Sequence, residues 1–114
     1  MSVSRETERL ATYAELLRKW NPAINLIAPS TLDQIETRHI ADSLQLAEIT
    51  RNVSGNWVDL GSGGGFPGIV MAIMRPDLDL TLVESDQRKA AFLRNVVREL
   101  ALPRAQVICK RIEA

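Results

Sequence analysis

Between residues 10 and 20 the apolar positions Leu10, Tyr13, Ala14 and Leu17 fall at i, i+3, i+4 and i+7, with Leu16 and Trp20 widening the stripe. That is the spacing of one helical face. Asn21-Pro22 is expected to end this helix, because the proline ring disfavours helical geometry in the residue before it. Ser30, with Asp33 near the first turn, predicts a second helix running to about Arg38, and Asp42-Ser43 predicts the cap of a third that carries Leu44, Leu46, Ala47 and Ile49 toward a core. The character changes once, near Val53-Ser54-Gly55-Asn56. From there the apolar segments Trp57-Val58, Leu80-Thr81-Leu82-Val83 and Val107-Ile108-Cys109 read as strands. The helices between them are the apolar stretch from Ile69 to Met74 and a segment from Gln87 to about Leu100 that Asp86 caps and Pro103 follows. The latter places Ala90, Ala91, Leu93, Val97 and Leu100 inward and Arg88, Lys89, Arg94, Arg98 and Glu99 outward. Strands separated in this way pair in parallel through right-handed crossovers. The expected architecture is α/β, with an N-terminal helical segment at 1–52 packed on the sheet and a βαβαβ unit at 53–114.

Length and charge narrow the function classes. The 114 residues, 46% of them hydrophobic, make one domain of ordinary size. Fourteen basic and fourteen acidic residues leave no net charge, so any attraction for nucleic acid must be local. No apolar run approaches the roughly 20 residues that span a bilayer, and Met1 to Glu6 lacks the apolar core of a signal peptide, which points to the cytoplasm. The single cysteine, Cys109, reads as a small buried hydrophobe. Trp20 and Trp57 read as core residues, and Arg94, Arg98, Arg104, Lys110 and Arg111 as a solvated surface in preference to an RNA-facing patch.

The candidate chemistry lies where the first strand meets the helix after it. Gly61 to Gly68 holds five glycines in eight positions, more than a tight turn needs. Such a turn lets a ligand lie against bare backbone. The site would form at the carboxyl ends of the strands, where Asp59, the glycines, Glu84 and the segment after Cys109 converge. Two nucleotide readings compete. Gly63 to Gly68 satisfies the dinucleotide fingerprint G-x-G-x-x-G. Two residues earlier, Asp59-Leu60-Gly61-Ser62-Gly63-Gly64-Gly65 is an acid followed by alternating glycines, the turn of S-adenosylmethionine-dependent methyltransferases. Electrostatics favours the second, because Asp59 would repel a pyrophosphate but suits a ligand carrying an ammonium and a sulfonium.

Gly61-Ser62-Gly63-Gly64-Gly65-Phe66-Pro67-Gly68-Ile69 closely resembles the turn of the small-subunit ribosomal RNA methyltransferase G family, also called glucose-inhibited division protein B. Further segments match in order: Leu17 to Asn21 with Asn25-Leu26, Arg38-His39 with Asp42-Ser43-Leu44, Phe92-Leu93, and Arg111-Ile112-Glu113. The resemblance implies a Rossmann-like fold and methyl transfer from S-adenosylmethionine to guanine N7 in small-subunit ribosomal RNA. It implies cofactor contacts from Gly61, Phe66, Glu84, Ile112 and Glu113, with Glu84 accepting the ribose hydroxyls and Ile112 and Glu113 bordering the adenine. Glu84 stands where the family often has aspartate, and Ala114 where a second acid is common. Pro67 is expected in the first turn of the following helix, stiffening the glycine turn and fixing Phe66.

No catalytic acid, base or metal is expected, since N7 attacks through an in-plane lone pair and loses no proton. His39 reads as a capping or interface residue, with an RNA phosphate contact alongside Arg38 as the alternative. Methyltransferases of this fold carry about seven strands and this chain supplies three, so the resemblance is to the N-terminal part of a longer enzyme, expected to be inactive alone. A dinucleotide-dependent oxidoreductase and a non-catalytic interaction fragment are the other classes weighed.

Overall fold

The computed structural model describes residues 4–26, 34, 38, 40–61 and 64–111. Helix α1 (Arg5–Ile24) starts at Ser4, whose hydroxyl accepts the Thr7 amide, and buries Tyr13, Ala14 and Leu17. Pro22 does not end it. The proline lies inside the last turn, where its missing N–H forfeits one hydrogen bond, and the helix continues until Asn25 turns left-handed at φ 51 and donates its amide to Asn21 O. Burial of Ile24 and Leu26 outweighs that loss. The helix expected from Ser30 to about Arg38 falls mostly outside the described residues.

Helix α2 (Ala41–Ile49) begins one residue before the expected Asp42-Ser43 cap, with Ile40 at the N-cap and Asp42 in the first turn, where its charge suits the helix dipole. Its inward face is Ile40, Ser43, Leu44 and Ala47, again i, i+3, i+4 and i+7. Ile49 lies off that face and is 72% exposed, against expectation.

Strand β1 (Asn56–Leu60), helix α3 (Gly68–Met74), strand β2 (Asp79–Glu84), helix α4 (Gln87–Glu99) and strand β3 (Ala105–Cys109) then form the α/β unit. The sheet is parallel, in the order β1-β2-β3. Its register aligns Trp57 with Leu80 and Ala105, and Asp59 with Leu82 and Val107, on one face. Leu60, Val83 and Ile108 align on the other. Both crossover helices cover the first face. α3 is buried along nearly its whole length because α1 and α2 close over its outer side while β2 lies beneath it. The N-terminal helices thus reach the sheet through a helical layer, with α1 against both α3 and α4. The Arg75 guanidinium ties the two parts together by donating to Thr50 O at 2.8 Å and pairing with Asp77.

In α4 the expected cap is present: Asp86 Oδ1 accepts the amides of Arg88 at 2.9 Å and Lys89 at 3.0 Å. These bonds hold its carboxyl below the usual carboxylate range. The buried stripe is Ala90, Phe92, Leu93 and Val96, whereas Ala91, expected inward, is exposed. Phe92 takes the interior place because Trp20 of α1 meets it edge-on, 5.6 Å between ring centres. Cys109 is only half-buried, not fully enclosed as its strand pattern predicts.

Candidate functional site

The carboxyl end of β1 delivers the chain into the glycine turn at a fixed point. Gly61 N–H donates to Val83 O at 2.8 Å, so the first glycine is pinned beside the last residues of β2. Its φ of +70 is a conformation few L-residues other than glycine adopt, yet among the described residues a Cβ there would meet nothing within 4 Å. Glycine is required here by backbone geometry, and the described residues leave the space above it open. Gly65 and Gly68 differ. A Cβ at Gly65 would lie 2.6 Å from Ile69 Cγ1 and 2.8 Å from Tyr13 Oη, and one at Gly68 would lie 2.5 Å from Asp59 Oδ2 and closer still to Leu82 Cδ2. Those two glycines let the turn and α3 settle onto the sheet.

Asp59 points into the covered side of the turn. Its Oδ2 accepts the Gly68 amide at 3.1 Å, so a carboxylate caps the start of α3 across nine residues of chain. Pro67 stands at the N-cap of α3, one place before the expected first-turn position, and its peptide bond with Phe66 is cis.

The register brings two of the sequence-predicted residues together, Gly61 and Glu84. Glu84 ends β2, is 6% exposed, and its Oε2 accepts the Asp86 amide at 2.9 Å. Its carboxylate is thereby fixed at the strand end next to the one that carries Gly61. Lys110 N–H donates to Glu84 O at 3.1 Å, bringing the chain beyond β3 alongside the same point. Ile112 and Glu113, predicted to border the adenine, lie outside the described residues, as do Ser62, Gly63 and His39.

Phe66 lies against α1 and α2. Its ring packs on Tyr13, 5.3 Å between centres at 48°. With Asp42, Ser43, Leu46 and Pro67 it lines a cleft of about 290 Å³.

Tyr13 makes a contact with the turn that the sequence pattern does not reveal, because its place in the apolar stripe of α1 accounts for its ring and hides its hydroxyl. That hydroxyl donates to Gly64 O at 2.5 Å. Burial, and next the charge of Asp59, push the phenol well above its ordinary range, so it stays a donor. A hydroxyl on an otherwise aliphatic stripe was the available signal.

The arrangement offers open space over bare backbone at Gly61 and a fixed carboxylate one strand away, able to accept from paired hydroxyls. No helix among the described residues is long and apolar enough to cross a membrane.

Residues 6–114 match the family model GidB, described as rRNA small subunit methyltransferase G. Curated relatives that the chain resembles carry the name ribosomal RNA small subunit methyltransferase G. The protein from Paracoccus denitrificans (strain Pd 1222) is 81% identical over 114 residues, covering all of this chain and 59% of the relative. That from Ruegeria sp. (strain TM1040) is 50% identical, covering all of this chain and 57% of the relative. That from Rhodospirillum centenum (strain ATCC 51521 / SW) is 56% identical, covering 97% of this chain and 51% of the relative. The chain therefore spans somewhat more than half the length of the curated relatives it matches.

Proposed function

Since the chain belongs to the GidB family, rRNA small subunit methyltransferase G, we propose that it forms the cofactor-binding part of an enzyme that methylates guanine N7 in small-subunit ribosomal RNA, with S-adenosylmethionine as donor. The observation that carries this reading is the pairing of an open, left-handed Gly61 with a buried, anchored Glu84 at adjacent strand ends. In this reading the bare Gly61 backbone receives the methionine end. Glu84 holds the ribose hydroxyls, while Ile112 and Glu113 border the adenine. S-adenosylmethionine, when bound, supplies a methyl on positively charged sulfur: the N7 lone pair forms the new C–N bond, the C–S pair returns to sulfur, and no proton moves. The chain's own contribution is to orient and to exclude water. Asp59 fixes the turn through Gly68 and supplies negative charge near a cationic ligand. Helix α1 acts as the clamp that holds the turn, through Tyr13. A ribosomal RNA substrate implies that the protein works in the cytoplasm.

The charge of the site disfavours a dinucleotide, since a pyrophosphate laid on this turn would approach the Asp59 carboxylate. Thermal unfolding with S-adenosylhomocysteine at about 100 times its Kd should raise stability by about 2.7 kcal/mol, on the order of 10 °C in Tm, while nicotinamide dinucleotides leave Tm unchanged. The reverse pattern would overturn the assignment. Asp59→Asn keeps an oxygen for the Gly68 amide but loses the charge, so it is expected to bind S-adenosylhomocysteine at least several-fold more weakly at little cost in stability.

A further inference from the structure

A cleft lies between α2 and the glycine turn, lined by Asp42, Ser43, Leu46, Phe66 and Pro67 and by neither Gly61 nor Glu84. Its walls are chemically unequal. On one side stand Phe66 and Pro67, the aromatic ring immobilised by Tyr13 behind it. On the other, the first turn of α2 presents Asp42, whose exposed carboxylate has no hydrogen-bond or ion-pair partner among the described residues. Leu46 supplies a further apolar wall. A flat, fused ring with hydrogen-bond donors on one edge matches such a slot, stacking on or against Phe66 while its donors meet the carboxylate.

We propose that this cleft receives the acceptor base and that Asp42 selects guanine by accepting from N1–H and the exocyclic N2 amine. The inference rests on the methyl-transfer reading above, and the chemistry of that transfer supplies the reason for the orientation. A base alkylated at N7 must turn its N7 edge toward the donor, so the protein can read it only on the edge across the ring system. There guanine shows two adjacent donors, which the two oxygens of one carboxylate accept together, whereas adenine shows a ring acceptor beside its amine. Asp42 thus rejects adenine by facing its N1 lone pair with a second acceptor. Phe66, which sequence resemblance assigns to the cofactor, becomes the wall shared between donor and acceptor.

The test is a titration of this chain with guanosine and adenosine 5′-monophosphates, whose identical phosphates cancel, followed through the backbone amide resonances of Ser43, Leu46 and Phe66. The expected result is saturable shifts at those amides, with guanosine monophosphate binding roughly five-fold or more tightly than the adenosine nucleotide. Asp42→Asn, at an exposed helical position, should bring the two affinities within about two-fold. Phe66→Leu should weaken both alike. Equal affinities for the two nucleotides in the unaltered chain, shifts confined to other parts of the molecule, or no shifts at all would each overturn the assignment. Stabilisation by S-adenosylhomocysteine, measured on the same samples, separates the two levels. If it persists while guanine recognition fails, only the cleft assignment falls; if guanine is selected but S-adenosylhomocysteine does not bind, the methyl-transfer reading falls instead.

Discussion

The two faces of the sheet are built from alternate residues of the same three strands, and they have opposite surroundings. Trp57, Asp59, Leu80, Leu82, Glu84 and Val107 look toward α3 and α4, and Leu80, Leu82 and Glu84 of the central strand are buried. Val58 and Leu60 on the other face are 60% and 61% exposed, and Ile108 beside them 40%. The apolar row Leu60, Val83 and Ile108 has no helix over it among the described residues. Asp59 and Glu84, the two carboxylates of the proposed site, belong to the covered face. A parallel sheet normally has both faces covered, and its apolar residues are chosen for that condition. Apolar character in these strands therefore says how a strand is used in a complete sheet, whereas burial says how it is used here.

The contrast is broken or sharpened most strongly by truncating one leucine on each face. Leu82→Ala, on the covered face, is expected to cost about 2–5 kcal/mol in chemical denaturation, and Leu60→Ala less than about 1 kcal/mol. Equal losses would mean that the bare face is covered in solution. Gly68→Ala comes next, because its methyl would strike Leu82 and Asp59 together. A loss of about 1–3 kcal/mol is expected, with reduced S-adenosylhomocysteine binding. Tyr13→Phe removes the donor to Gly64 O and should cost about 1–3 kcal/mol while leaving the apolar contacts of the ring in place. The unaltered protein should also lose stability as the pH rises above about 10, where the unfolded phenol ionises and the folded one, its pKa raised, does not. Tyr13→Phe abolishes that alkaline loss.

The smallest effect belongs to the bare face. Arg104 pairs with Asp79 there at 2.8 Å and, with it, holds the carboxyl below its ordinary value. Its contribution is present above about pH 4 and disappears as the pH falls through the lowered folded value. Acid unfolding of Arg104→Ala should differ from the unaltered chain only slightly, and the difference should vanish in salt.

Much of this molecule was legible in the order of its residues, for physical reasons that also mark where the reading stopped. Asp86 before a helical stripe, and glycines between a strand and a helix, are local signals read from neighbours in sequence, and both are where they were expected. Pro22, Ile49 and Ala91 were misread because the decision was not local. Ile24 and Leu26 carried α1 past its proline, and the stripe beginning at Ile40 turned Ile49 outward. Trp20, far away in sequence, drew Phe92 inward in place of Ala91. The motif singles out Gly61, Phe66 and Glu84, but only the register places Gly61 beside Glu84, and only the fold sets the Phe66 ring against Tyr13. The cleft beside Asp42 was invisible in the sequence, because its two walls come from segments that nothing local connects.

The bond from Tyr13 to Gly64 spans 51 positions. During synthesis at about 5–20 residues per second, the helix bearing the tyrosine leaves the ribosome roughly 3–10 s before its acceptor carbonyl does. Throughout that interval the stripe of Tyr13, Ala14 and Leu17 has nothing of its own chain to cover it. A newborn copy is therefore most exposed to capture by chaperones before its glycines have emerged.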